Sequence, residues 1–128
     1  MSYGFVKTVN ASFDEARESV IAELKKEGFG ILTEIDLKEK FREKLGVEYR
    51  RYNILGACNP PFALKSLQAE ENLGLLLPCN VIVYETGDGT TTVGIIRPST
   101  AMGMVDNDAL GEVAGEVEAK LNRVFDRL

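Results

Sequence analysis

Residues 81–97 leave few folds open to this chain. Val81-Ile-Val-Tyr-Glu85 runs into Thr86-Gly-Asp-Gly-Thr90 and then Thr91-Thr-Val-Gly-Ile-Ile-Arg97. The Asp88-Gly89 pair supplies the positive backbone angles that a two-residue hairpin loop requires, and β-branched residues flank it on both sides. Strands joined by so short a turn must pair antiparallel. A sheet with one wet face should alternate apolar and polar residues, yet Val81, Ile82 and Val83 are consecutive, as are Ile95 and Ile96 beyond Val93. Both faces of this strand pair therefore need cover. Helices of the same chain can supply one side, and the other falls to the chain's short helices or to a second copy, so a homodimer is expected.

The remaining periodicities surround that hairpin with helices. Tyr3 to Val9 is β-rich, and Ser12-Phe13-Asp14-Glu15 is a capping-box signature opening a helix with Phe13, Ala16, Val20 and Leu24 on one stripe and Gly28 as its stop. Gly30 to Ile35 predicts a second strand. Asp36-Leu-Lys-Glu39 caps a shorter helix carrying Leu37, Phe41 and Leu45, which Gly46 ends. Tyr49 to Ala57 alternates as a third strand, and Asn59-Pro60 reads as a cap followed by proline in the first helical position, leading through Phe62, Leu64 and Leu67. Pro98 to Gly103 reads as a loop. Leu110, Val113, Val117, Leu121, Val124 and Leu128 recur at steps of three and four, which predicts a long amphipathic terminal helix. The fold class that follows is α+β: an antiparallel-dominated sheet of about five strands packed by two long helices, with two short inserted helices. A single domain over residues 1–128 is expected from a chain of this length.

Charge and residue usage restrict function. The net charge of −5 opposes nucleic acid, and the basic residues at Lys25-Lys26, Lys38 to Lys44 and Arg50-Arg51 all have acidic neighbours. No window approaches the ~20 apolar residues of a membrane span, and the amino terminus lacks the pattern of a secretory signal, so a cytoplasmic protein without membrane attachment is expected. The chain has no histidine. Ser-His and Cys-His nucleophile pairs and histidine-ligated zinc are thereby excluded within one chain. Gly87-Asp-Gly89 is turn chemistry rather than a phosphate-binding loop.

The residue types that packing alone does not explain are two Cys-Asn pairs, Cys58-Asn59 and Cys79-Asn80, containing the chain's only cysteines. Asn59 suits a helix cap, and a cysteine at a strand end is commonly buried packing. The functional alternative is that Cys58, just before a helix start, feels the positive end of the helix dipole and gains thiolate character. Counting back from a two-residue turn places Thr86 opposite Thr91 and Asn80 opposite Arg97. An arginine beside an asparagine on an apolar strand pair suits a carboxylate or phosphate, the alternative being an arginine that bonds a loop carbonyl or an acidic side chain. Met102 and Met104 add thioether sulfur that, with two thiolates, would suit copper(I), although a twenty-residue cysteine spacing lacks the pattern of metal motifs, and no metal ligands are assigned.

The runs Leu55-Gly56-Ala57-Cys58-Asn59-Pro60, Ala63-Leu64-Lys65 and Gly74-Leu75-Leu76-Leu77-Pro78-Cys79-Asn80-Val81 resemble the family called domain of unknown function 302, over nearly the whole chain. That resemblance implies a strand, helix, four strands, helix order with the topology of the TATA-binding-protein fold, in soluble bacterial or archaeal proteins that often dimerise. It implies no activity, and likeness of fold does not imply DNA binding. Three functions remain open. The first is a non-catalytic binding module for a small anionic ligand or a protein partner, with its site at Cys58, Asn59, Cys79, Asn80 and Arg97. The second is a thiol-based redox protein or enzyme using Cys58 and Cys79, and the third a soft-metal carrier. The first is favoured because a catalytic cysteine normally needs an activating base and none is visible.

Overall fold

A computed structural model describes residues 2–128. Strand β1 (Gly4–Val9) leads into helix α1 (Phe13–Lys26), strand β2 (Gly30–Asp36), helix α2 (Leu37–Leu45), strand β3 (Tyr52–Cys58) and helix α3 (Pro60–Ala69). A 3₁₀ turn (Glu71–Leu76) precedes the hairpin strands β4 (Cys79–Gly87) and β5 (Thr90–Ile96), then helix α4 (Pro98–Met102) and helix α5 (Asp108–Asp126). The five strands form one sheet in the order β1-β5-β4-β3-β2, every pair antiparallel. The strand, helix, four strands, helix plan holds, with the shorter helices as insertions. The connection from Pro98, expected as a loop, makes one turn of helix with Pro98 in the first helical position, where its missing N–H costs nothing.

Local grammar accounts for the helix limits. The Ser12 hydroxyl accepts from the Glu15 N–H while the Glu15 carboxylate accepts from the Ser12 N–H, closing the capping box. The Asp36 carboxylate accepts from the Glu39 N–H to start α2, and Gly46 ends it with a φ of 63°.

The stripes of α1 and α5 bury themselves on one face of the sheet. Phe13, Ala16, Val20 and Leu24 from α1 and Val113, Val117, Leu121 and Val124 from α5 pack on Leu55, Ala57, Val81, Val83, Val93 and Ile95. Each fully buried leucine or valine here contributes about 1.5–3 kcal/mol. A satellite cluster of Leu73, Met102, Leu110 and Ala114 fills the space under the 3₁₀ turn. The opposite face, carrying Val6, Ile54, Ile82, Tyr52 and Tyr84, receives no such layer. The segment after α2 flanks it, where Arg50 lies over the rings of Tyr49 and Tyr84, and Tyr3 stands beside it at the amino-terminal end.

The hairpin departs from its predicted register. Gly87 pairs with Thr90 across the expected Asp88-Gly89 loop, but the register shifts between Glu85 and Gly87, so Glu85 faces Thr91 and Val81 faces Ile95. The extra residue, Thr86, is a bulge that no count from the turn includes. Asn80 therefore does not pair with Arg97. Because side chains alternate, a slip of one residue puts the two on opposite faces of the sheet.

Candidate functional site

The site grows from the sheet end where β3 leaves and β4 enters. Ala57 pairs with Cys79 across these strands, so the segments Cys58-Asn59 and Pro78-Cys79 emerge side by side. Helix α3 starts at once after Asn59 and crosses toward α5, while the 3₁₀ turn brings the chain back to Pro78. These elements enclose a cavity of about 310 Å³ lined by Phe29, Leu32, Ala57, Cys58, Asn59, Phe62, Ala63, Ser66, Leu67, Gly74, Leu77, Pro78, Cys79, Met102 and Val117. A second bulge supplies Leu32: the register between β2 and β3 shifts between Ile31 and Thr33, and Leu32 stands out at the rim, 65% exposed.

Among the described residues no charged side chain lines this cavity, and two of its polar side chains each donate to a backbone carbonyl. Ser66 donates its hydroxyl to the Phe62 carbonyl at 2.7 Å, and the Asn59 amide donates to the Glu27 carbonyl at 3.1 Å. Asn59 thus occupies the cap position of α3 without capping it by its side chain. Its amide instead ties the start of α3 to the end of α1, beside Gly28, whose φ of 86° and lack of a Cβ admit that amide within 3.1 Å of where the Cβ would stand.

Both cysteines line the cavity as free thiols. Burial raises the Cys58 thiol above its usual range. Burial, aided by the nearby Cys58, pushes Cys79 up to about 11. Burial acts against the thiolate character expected of Cys58, and the helix start offers little to offset it. Pro60 and Pro61 occupy the first helical positions of α3 and carry no N–H, so the dipole end that would favour an anion is stripped of its nearest donors. Of the two methionines, Met102 joins the cavity wall, whereas Met104 lies outside it, 72% exposed. Among the described residues no group of three or more histidine, cysteine, aspartate or glutamate side chains is placed to hold a metal ion.

Arg97 and Asn80 lie apart from this cavity and from each other. Arg97 turns to the helical side, its guanidinium 4.3 Å from the centre of the Phe5 ring and 3.5 Å from the Glu118 carboxylate, while Glu118 also accepts from the Ser99 N–H at 2.9 Å. That is the acidic pairing weighed as the alternative for Arg97. Asn80 faces the uncovered side of the sheet, along a shallow cleft with Tyr3, Val6, Ile82 and Gly94. The five residues expected to share a site thus divide, with Cys58, Asn59 and Cys79 together and Asn80 and Arg97 elsewhere. Phe29, Leu77 and Val117 belong to the cavity but carry only the apolar signature of core residues in the sequence.

A larger groove of about 490 Å³ lies on the uncovered sheet face, between Tyr3, Val6, Tyr49, Arg50, Tyr52, Ile82 and Tyr84. Its floor is the stacked pair Tyr52 and Tyr84, with ring centres 4.9 Å apart.

Among the described residues no helix is long and apolar enough to cross a membrane. No curated protein matches the chain. A crystal structure of an uncharacterized conserved protein DUF302 from Bacillus stearothermophilus is similar over 99% of this chain and 98% of its own, at 34% sequence identity and a TM-score of 0.89. The family model described as domain of unknown function DUF302 matches residues 5–128. With the model spanning nearly all of the sequence and the same fold found at that identity, the chain belongs to the DUF302 family.

Proposed function

We propose that this protein is a non-catalytic binding module that takes a small apolar ligand, or the apolar part of a larger one, into the cavity between β3, β4, α3 and α5. The observation that carries this reading is the composition of the cavity wall. Apart from Ser66 and Asn59, each of which donates to a backbone carbonyl, its side chains are apolar or sulfur-bearing. Ligand pockets are typically apolar concavities of about this size. A carboxylate or phosphate drawn wholly inside would lose its water without gaining a charged partner, so the anionic ligand expected from Arg97 has no support at this depth. Thiols held protonated at neutral pH favour binding over nucleophilic catalysis.

The test is titration with the neutral, environment-sensitive dye N-phenyl-1-naphthylamine. Saturable fluorescence enhancement is expected in the natural protein and its loss in Ala63→Trp, which fills the cavity; Ala63→Leu, a milder filling, should weaken binding in proportion. Equal enhancement in all three proteins would move the dye elsewhere and sink the reading.

A second reading, self-association through the uncovered sheet face, is favoured by a separate observation: Tyr3 is 79% exposed and Val6 60% exposed beside the Tyr52 and Tyr84 stack. Apolar exposure of this kind on a sheet face marks an interaction surface. The partner it suits is a second copy, since an apolar and aromatic patch on one face of a sheet can meet the same patch across a two-fold axis.

A further inference from the structure

We propose that the ligand of the α3 cavity is an anionic amphiphile, a single-chain carboxylate whose hydrocarbon fills the cavity while its head group meets Lys120 at the edge. This rests on the reading of the cavity as an apolar binding site and names the class of ligand it takes. The ring of Phe62 forms part of the cavity wall, and the Lys120 ammonium stands 5.9 Å from the centre of that ring. Lys120 projects from α5 one turn beyond Val117, which also lines the cavity.

Lys120 as a residue is half-buried and, among the described residues, makes no ion pair. Further along α5, Arg123 pairs with Glu27 and Arg127 with both Glu23 and Glu27, so the acids at the end of α1 are already engaged. Glu116, one turn away on α5, forms no ion pair with Lys120. A cation close to Phe62, and so beside a cavity with no charged lining of its own, complements a ligand that is apolar along its length and negative at one end. The length follows from the volume. At about 310 Å³ the cavity is at the small end of ligand pockets, which suits a short single chain rather than a two-chain lipid. Leu32 and Leu67 on the rim extend the apolar track.

Calorimetric titration of the full chain with decanoate, 1-decanol and decyltrimethylammonium, each below its aggregation threshold, separates the two levels of the proposal. Decanoate should bind about tenfold more tightly than decanol, the size expected of one charge-assisted contact, and the cationic amphiphile most weakly. Lys120→Met keeps the aliphatic stem on Phe62 and should erase the preference for decanoate over decanol, while Lys120→Arg retains it. Ala63→Trp should weaken all three ligands. Decanoate and decanol binding equally well, or a preference unchanged in Lys120→Met, would overturn the carboxylate proposal and leave an apolar site standing. Failure of all three ligands to bind would overturn both, and decanoate binding untouched by Ala63→Trp would place the amphiphile elsewhere and overturn the assignment to this cavity. Should Lys120→Met fold poorly by circular dichroism, Lys120→Gln gives the same reading.

Discussion

Cys58 and Cys79 share a cavity wall, yet their surroundings predict very different reactivity. Cys79 is the more deeply enclosed, and burial pushes its thiol up to about 11 from an ordinary value of 9.0. Cys58 is shifted in the same direction by a lesser burial. Since the thiolate is the nucleophile, alkylation by iodoacetamide at pH 7.5 should be slow for both and slower for Cys79, with peptide mass spectrometry finding Cys58 labelled first. Rapid labelling of Cys79 at that pH would show that burial does not control it. The same shift links to stability. A thiol whose folded value is raised contributes stabilisation that is complete below its unfolded value and is lost as pH rises through the folded one. Between pH 9 and pH 11 the natural protein should therefore lose stability that Cys79→Ala does not, measured by urea midpoints across that range. Arg97 teaches a related point about single residues: its chemistry would serve an anion site or an ion pair equally well, and the pairing with Glu118 depends on which face of β5 it leaves.

At the scale of elements, bulges decide which side chains meet. The sequence announces the Asp88-Gly89 turn, the capping boxes and the stripes of α1 and α5, because each is a local pattern within a few residues. Bulges at Leu32 and Thr86 have no such signature, since they are set by how neighbouring strands pack. That is why the convergence of Cys58 with Cys79 was legible from strand ends, while the partnership of Asn80 with Arg97 was misread. Two predictions belong here. Gly56 in β3 lies under Pro78 and Thr33; a Cβ at that position would stand 2.7 Å from the Pro78 ring and closer still to the Thr33 hydroxyl. Gly56→Ala should cost about 1–3 kcal/mol by overpacking, read as a fall in urea midpoint with unchanged slope. The second concerns Glu34 on the edge strand β2, which accepts from Arg17 of α1 at 2.8 and 2.6 Å and from the buried Asn53 amide at 2.6 Å. Arg17, first, and then Asn53 hold its carboxyl below the ordinary range, so this stabilisation is present above that range and fades as pH falls through the lowered value. Glu34→Ala leaves Asn53 unpaired and should cost about 1–3 kcal/mol, whereas Glu34→Gln, which keeps an acceptor, should cost less. Equal losses in the two variants would show that the Asn53 bond contributes nothing.

For the whole molecule, the decisive asymmetry is that α1 and α5 cover one face of the sheet and leave the other with a thin flank. The residues of that second face are those whose apolarity in the hairpin required cover: Ile82 from β4 and Ile96 from β5, with Val6 from β1 beside them. Neither inserted helix provides it, because α3 sits on the cavity side and α2 buries no residue at all. Two copies meeting through this face would form a layered helix, sheet, sheet, helix particle with the grooves of about 490 Å³ facing each other. Charge placed at the centre of such an interface would appear twice across the two-fold axis, so a single substitution carries a double penalty. Val6→Lys should therefore convert a dimer to a monomer in sedimentation equilibrium at micromolar concentration, with the far-ultraviolet circular dichroism of the fold retained. The cavity lies on the opposite side of the sheet, so dye binding by Val6→Lys should match the natural protein. A natural protein that sediments as a monomer at all concentrations would remove the second copy from this face, and a Val6→Lys dimer would place the contact elsewhere.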